Sequence, residues 1–419
     1  MPTNRLARIG FLRAGQRVLR VLPVPGRLAL RVGGIDRASA GAAIDHVSGH
    51  SPPSRTPGWE RTRTAAQVLD EARRVVEPAH RAAIDALPAQ IAHVAGYHAG
   101  WRDPDGAPCR GGGKAVRPAL TLACGRAAAT AAAAATAAQP PCRGADTLTG
   151  FPARARTAVV DAAVAVELVH DFSLLHDDVM DGDLTRRHRP TAWAVFGVSQ
   201  AILTGDALLA LAVDVLARSA PDAMSVKVLA GALGELCKGQ AADLAFENHT
   251  EVSVAGCMDM AEAKTGALLG AACELGALAA GAPAVRAAQY RLFGRRLGLA
   301  FQLIDDLLGI WGDPAVTGKP AGSDLVSRKK SLPVVAALAS NTPAGHKLAD
   351  LYQGEKDLDG QTIAYAAGLI EAAGGRAWAQ AEAERQCQAA QASLAQAAPA
   401  PAASAELQLL ADLITRRSN

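Results

Sequence analysis

Carboxylates crowd two short stretches of this chain, and both stretches lie inside apolar runs of helical spacing. The first is Asp177-Asp178-Val179-Met180-Asp181 and the second is Asp305-Asp306-Leu307-Leu308-Gly309. Asp177 and Asp181 are four residues apart, so on a helix they leave one face, with Asp178 close beside them. Carboxylates that converge in this way repel one another and call for a hard cation with oxygen ligands. Mg²⁺ suits the pattern, because it takes a few carboxylates and fills its shell with water and substrate phosphate oxygens. A wet acidic surface would have polar flanks. Here Phe172, Leu174, Leu175 and Val179 flank the first cluster, and Leu303, Ile304, Leu307 and Leu308 the second.

Basic residues sharpen the reading. Arg186-Arg187 and then Pro190-Thr191 follow the first cluster. Upstream lies Gly111-Gly112-Gly113-Lys114-Ala115-Val116-Arg117-Pro118. Glycines ahead of a Lys and an Arg suit a loop that opens a helix. Backbone N–H groups, the helix dipole and two cations favour a polyanion there.

Taken in order, these elements resemble the trans-isoprenyl diphosphate synthase (polyprenyl synthetase) family. The match runs from about Val68 to the C-terminus. It comprises GGKxxRP at Gly112–Pro118, DDxxD at Asp177–Asp181, the RR…PT element at Arg186–Thr191, Gly205-Asp206, Lys264-Thr265, FQxxDD at Phe301–Asp306, and Lys319 with a further Lys pair before Ser331-Leu332-Pro333. The wording RRHRPTAW and DDLLGIWGD is similar to that of actinobacterial geranylgeranyl diphosphate synthases.

The resemblance implies a prenyltransferase that condenses isopentenyl diphosphate with an allylic diphosphate. It implies three Mg²⁺ ions, two on Asp177 and Asp181 and one on Asp305, with Asp178 and Asp306 in support. Arg186, Lys264 and Lys319 would contact the allylic diphosphate. Lys114, Arg117, His170 and Arg187 would hold the second diphosphate, which stays intact and needs no metal. Thr265 and Gln302 would lie near the allylic cation and stabilise it without capturing it. A homodimer is also implied. Two positions depart from the family pattern. Gly309 replaces the last Asp of the second motif, and His188 replaces the usual Gly after the Arg pair; the sequence offers no physical account of His188.

Product length is read from the helix before Asp177. Ser173 and Phe172 lie four and five residues upstream, roughly 6–7.5 Å along a helix. Small Ser173 leaves room and bulky Phe172 is a candidate floor. This resembles short-chain synthases that make geranylgeranyl diphosphate (C20), with farnesyl diphosphate (C15) and longer products as alternatives. A class I terpene cyclase is a rival reading, since it too uses an Asp-rich helix and Mg²⁺. It has no need of a second cationic pocket, and its N-D-x-x-S-x-x-x-E element is not visible.

The rest of the chain must position these groups. Half of the 419 residues are hydrophobic and only 4% are aromatic, with Ala abundant, which suits closely packed helices. β signals are scarce, so the expectation is all-α: a single large helical bundle of the isoprenoid synthase type, with the active site in a central cavity. A net charge of +3 gives no reason to expect nucleic acid. The seven cysteines are odd in number and form no C-x-x-C pair, which fits a reduced cytoplasm. Thr265–Val285 is nearly uncharged and long enough to span a bilayer, but small residues and Glu274 read as a buried bundle helix. Residues 1–64 are Arg-rich and weakly periodic and are expected to be a disordered or non-native extension ahead of a catalytic domain at 65–419. The Ala-rich stretches Ala127–Gly150 and Ala389–Ala405 are expected to be frayed helix ends and exposed loops.

Overall fold

The computed structural model describes residues 63–109, 111–135, 151, 153–219, 223–249, 251–313, 322–354 and 359–415. Helix α1 (Ala65–Asp85) begins where the apolar spacing begins. Thr64 and Gln67 form a capping box at its start. Its stripe of Val68, Ala72, Val76 and Ile84 is buried. Arg63, just ahead, pairs with Glu71 and reaches Glu406 in the last helix at 3.8 Å. The packed body therefore already includes Arg63 and Thr64.

After α2 (Ala89–His98) and α3 (Val116–Ala135) comes α4 (Ala153–Met180), the centre of the bundle. Its run Ala162–Val166, with Leu168 and Val169, is buried on every side. A helix that is apolar all round is a core helix. The middle of α4 is apolar, and its final turns, where the first aspartate cluster falls, are polar again. A two-residue hairpin, β1 (Thr185–Arg186) and β2 (Arg189–Pro190), then leads through α5 (Ala192–Phe196) into α6 (Val198–Ser219), which packs along α4. By length and composition α6 could cross a bilayer. In this fold it buries Ala201, Thr204, Leu208, Leu211 and Leu216.

Helix α7 (Ala223–Asn248) and α8 (Val254–Ala261) follow, and α8 passes through a π-helical turn (Glu262–Gly266) into α9 (Ala267–Ala279). Every residue from Ala267 to Ala277 is buried. The sequence reading of a buried bundle helix holds, but the helix is shorter than Thr265–Val285. The π turn carries its first residues, and Gly281, at φ 88°, turns the chain after it. Helices α3, α4, α7 and α10 (Ala284–Trp311) all pack on α9. The helices that carry the two aspartate motifs, α4 and α10, therefore share one central partner.

The chain closes with α11 (Ser323–Val326), α12 (Leu332–Leu338), α13 (Pro343–Gln353), α14 (Gly360–Ala372), α15 (Gly375–Ala397) and α16 (Pro401–Thr415). The Ala389–Ala405 stretch corrects the sequence reading. It is not a frayed loop, because α15 runs through to Ala397 and buries Ala390, Leu394 and Ala397 against the core. Alanine is the best helix former, and its small side chain lets helices approach closely. The other Ala-rich piece is likewise helix as far as Ala135, with Ala127 and Ala128 buried. Its remainder, and the arm up to residue 62, lie outside the described residues.

Candidate active site

The first motif ends α4, and its carboxylates diverge in environment. Asp178 is buried at 1% exposure, and its Oδ1 accepts from Arg186 Nε at 2.5 Å. Its Oδ2 is buried and has no hydrogen-bond partner. Asp177 is half-buried and Asp181 exposed. Desolvation pushes the Asp177 carboxyl up to about 6, against the pull of Lys264 and with the added repulsion of Asp181. Asp181 is raised mainly by desolvation, with Lys264 and Lys329 opposing and Asp243 and Asp183 adding. The motif is thus held charged at a cost that nearby cations only partly offset.

Lys264 is the cation at its centre. It lies in the π turn, a distortion often found at functional sites, and its Nζ donates to Asp243 Oδ2 of α7 at 2.6 Å. Asp243 escaped the sequence reading. Its only signal was a lone carboxylate three residues after Gln240 on an Ala-rich helix, too weak to single out. Gln240 is buried at 5% exposure, with both amide atoms unpartnered.

The next residue in the π turn, Thr265, donates from Oγ1 to Gln302 Oε1 at 2.8 Å. Gln302 Nε2 donates to Asp306 Oδ1 at 2.9 Å, and Asp306 Oδ2 accepts from the Leu332 N–H at 2.9 Å. This chain of bonds joins the π turn to α10 and α12. Asp306 is buried, and desolvation raises its carboxyl to about 6, against the pull of Lys329. Asp305 is exposed beside it. Lys329 works against its own partial desolvation: the carboxylates of Asp306, Asp324, Asp243 and Asp305 hold its ammonium above the usual range. Because Lys329 also acts on Asp181, the two aspartate motifs border one basin.

A second group of cations lies farther back along α4, around His170, about two turns before Asp177. Arg117 and Arg187 both act on His170, whose imidazole is held well below its ordinary range, first by burial and then by these two guanidiniums. Lys114 is exposed in the loop ahead of α3. Arg73 of α1 donates to Gly113 O at 3.2 Å and ties that loop down. A cavity of about 50 Å³ opens here, lined among others by Gly112, Gly113, Arg187, Glu167, Asp171 and His80. Behind it, Asp171 sits 3.3 Å from His80 and 4.0 Å from His98. Of the predicted site residues, Lys319 lies outside the described ones.

The hairpin that carries Arg186 and Arg187 explains why glycine is usual at position 188, and nothing in the structure explains the histidine. Arg187 and His188 have φ of 51° and 61°, the left-handed pair of a type I′ turn. Glycine suits such a position, and a side chain there costs roughly 1–2 kcal/mol. The strain is held by clamps around the hairpin. Tyr97 Oη donates to Pro190 O at 2.8 Å, and Arg189 stacks on the Tyr97 ring at 4.5 Å while Nη2 donates to Arg102 O at 2.9 Å.

The chain-length candidates are both buried. Ser173 Oγ donates to His170 O at 2.8 Å. Phe172 meets His176 edge-on at 4.8 Å. The His176 ring in turn fills the notch at Gly205 of α6, where any Cβ would fall 2.4 Å from it. That close approach gives the Gly205-Asp206 element its physical reason.

Among the described residues, no three acidic, His or Cys side chains are drawn close enough to hold a metal ion by themselves. The donors still fit a hard cation. They are all carboxylate oxygens, one of them a buried oxygen without a partner, and Mg²⁺ typically takes few protein ligands and completes its shell from substrate phosphates.

A helical bundle of this kind, with facing acidic helices and two separate groups of cations, defines an isoprenoid-synthase-type transferase. The polyprenyl synthetase family model matches residues 107–370, and the chain belongs to that family of trans-isoprenyl diphosphate synthases. It is 43% identical over 335 residues to a (2E,6E)-farnesyl diphosphate synthase of Mycobacterium tuberculosis, covering 78% of this chain and 87% of the relative. It is 44% identical over 317 residues to a geranylgeranyl diphosphate synthase of the same organism, covering 75% and 84%. The crystal structure of a polyprenyl synthetase from Streptomyces coelicolor superposes with a TM-score of 0.75 at 42% identity, covering 84% of this chain and 99% of that one.

The buried imidazoles make stability depend on pH. Burial lowers His98 from 6.5 to about 4, with Asp171 opposing and Arg187 adding. A folded value below the unfolded one keeps the ring neutral in the fold. As pH falls below 6.5, the unfolded chain takes up the proton first, so stability is lost progressively down to about pH 4. Replacing His98 with Gln should flatten the fall in melting temperature across that window. An unchanged slope would show that His98 is not a source of the loss.

Proposed function

We propose that this chain is a Mg²⁺-dependent synthase that adds isopentenyl diphosphate to allylic diphosphates and makes mainly geranylgeranyl diphosphate. The observation that carries the reading is the separation of cations. Lys264 stands among Asp177, Asp181 and Asp243, whereas Arg117 and Arg187 gather around His170, about two turns farther back along α4. Two diphosphates need two such places, and a terpene cyclase needs only one.

Asp177, Asp181 and Asp305 would hold the Mg²⁺ ions, three when substrate is bound. When bound, Mg²⁺ neutralises the charge that develops on the departing diphosphate. Lys264, Arg186 and Lys319 would add positive charge around the same group. Asp178 holds Arg186 through its Nε and so fixes the guanidinium's direction. Lys114, Arg117, Arg187 and His170 would hold the second diphosphate, which stays attached. Thr265 spends its proton on Gln302 and keeps its oxygen lone pairs to face a cation. Lone pairs of this kind stabilise positive charge, and no nucleophile on the enzyme is required.

For product length, the two mycobacterial relatives have nearly equal identity and different product names, so the argument rests on α4. Ser173 follows the face of Asp177 and leaves space, while Phe172 is braced by His176. Farther along α4, Ala155, Ala158 and Ala162 line a cavity of about 460 Å³ with Leu216 and Leu275. Val166 and Val169 lie between it and Ser173, both buried. Replacing Phe172 with Ala should lengthen the products, read by mass. An unchanged distribution with turnover retained would mean that this helix face is not the ruler.

We also propose a homodimer in the cytoplasm. Val198, Ile202 and Leu203 of α6 and Met224 of α7 are exposed apolar groups on neighbouring helices, and the cysteines among the described residues are free. Sedimentation of the purified chain as a monomer would contradict the dimer.

The two pockets can be tested apart. Asp177→Ala should lower kcat by at least about 10²-fold, or about 2.7 kcal/mol. Arg117→Ala should mainly raise KM for isopentenyl diphosphate, through a lost charge-assisted contact of roughly 1.5–3 kcal/mol. Near-normal turnover in the first variant, or a KM effect confined to the allylic substrate in the second, would overturn the assignment.

A further inference from the structure

We infer that Arg295 is a positioning residue for the reaction: by bridging Glu262 and Glu235 it holds the π turn that aims Lys264 and Thr265. The inference rests on the assignment of those two residues to the allylic substrate and extends it to a residue that none of the sequence motifs contains.

The turn runs from Glu262 to Gly266, and the Ala267 N–H donates to Glu262 O, five residues back. A π turn holds one residue more than an α turn and is rare unless its surroundings select it. Two glycines make room for it. A Cβ at Gly239 of α7 would fall 2.4 Å from Lys264 N, 2.8 Å from Lys264 Cα and 2.9 Å from Ala263 C. A Cβ at Gly298 of α10 would fall 2.7 Å from Gly266 Cα. All of these atoms are backbone and cannot swing aside. The turn is therefore seated in a slot between α7 and α10.

Arg295 spans the same slot one turn earlier on α10. Its Nε donates to Glu262 Oε1 at 2.9 Å, and its Nη1 donates to Glu235 Oε1 of α7 at 2.9 Å. The guanidinium thus ties all three segments together, and only 20% of the side chain is exposed. Glu262 serves the turn twice, closing it through its carbonyl and anchoring it through its carboxylate. On α7, Glu235, Gly239 and Asp243 follow one another at four residues and share a face; on α10, Arg295, Gly298 and Gln302 do so at three and four. The bridge stands at one end of each row and the slot in the middle. At the other end Asp243 accepts from Lys264 and Gln302 accepts from Thr265. Relaxation of the turn to α-helical spacing would shift the register by one residue and swing Lys264 and Thr265 by about 100° relative to α9. A bridge that only stabilised the bundle is the competing account. Its loss would lower the melting temperature and leave the kinetics alone.

The experiment uses the full chain and sets steady-state kinetics beside melting temperature. Arg295→Met, which keeps the length and removes both bonds, should lower kcat about 10- to 100-fold, as slight misplacement of reacting groups does. KM for the allylic diphosphate should rise, and KM for isopentenyl diphosphate should stay unchanged. Glu262→Ala should show the same pattern and serves if Arg295→Met misfolds. The double variant Glu262→Ala/Arg295→Met should lose no more than the worse single variant, because both remove one bond. Glu262→Gln keeps an oxygen for Arg295 Nε and should recover most of the turnover lost in Glu262→Ala. Wild-type kcat in Arg295→Met or Glu262→Ala, with or without a lower melting temperature, or additive losses in the double variant, would overturn the inference. Lys264→Ala is measured alongside. If it too keeps wild-type kinetics, the assignment of Lys264 to the allylic substrate has failed; if it loses turnover while Arg295→Met does not, only the role of the bridge has failed.

Discussion

Desolvation of carboxylates held at the end of an apolar bundle is the constraint on which the rest of this structure depends. Burial raises Asp177 and Asp306 to about 6, and no cation nearby fully offsets the cost. A fold selected for stability alone would have replaced such groups with apolar ones. They persist in a basin shared with Lys264 and Lys329, and that combination suits a site completed by metal and diphosphate. Strain elsewhere has the same character. The left-handed Arg187–His188 turn and the π turn at Glu262–Gly266 each carry residues of the site.

The scaffold meets this cost through close helix packing. Helix α9 is buried along its length and serves as the common partner of α3, α4, α7 and α10. Because α4 and α10 pack on one rod, their aspartate motifs reach the same basin. The bond chain Thr265–Gln302–Asp306–Leu332 then fixes the π turn against α10 and α12. Positioning of the reacting groups thus runs through one buried carboxylate, Asp306, held by an amide side chain and a backbone N–H.

Much of this was legible in the sequence, and the reasons are specific. Asp177 and Asp181 announce themselves by helical spacing in an apolar context. The glycines before Arg117 mark the loop that opens α3. The rest depended on contacts between distant residues. Asp243 is a lone carboxylate until α7 brings it to Lys264. His80 and His98 look like ordinary helical residues until they meet Asp171. Gly309 reads as a departure from the motif, and only the fold shows the Asp324 carboxylate beside it. The Ala-rich α15 was misread because composition alone does not distinguish a frayed end from a helix packed through small side chains.

The central claim is that one chain holds two diphosphates at once and joins their carbon skeletons. The direct measurement incubates the purified protein with Mg²⁺, isopentenyl diphosphate and each of the C5, C10 and C15 allylic primers, and reads products by mass. The account predicts elongated allylic diphosphates ending mainly at C20, with release of inorganic diphosphate, and no consumption of any allylic primer when isopentenyl diphosphate is left out. A hydrocarbon formed from a single allylic diphosphate, without isopentenyl diphosphate, would contradict it.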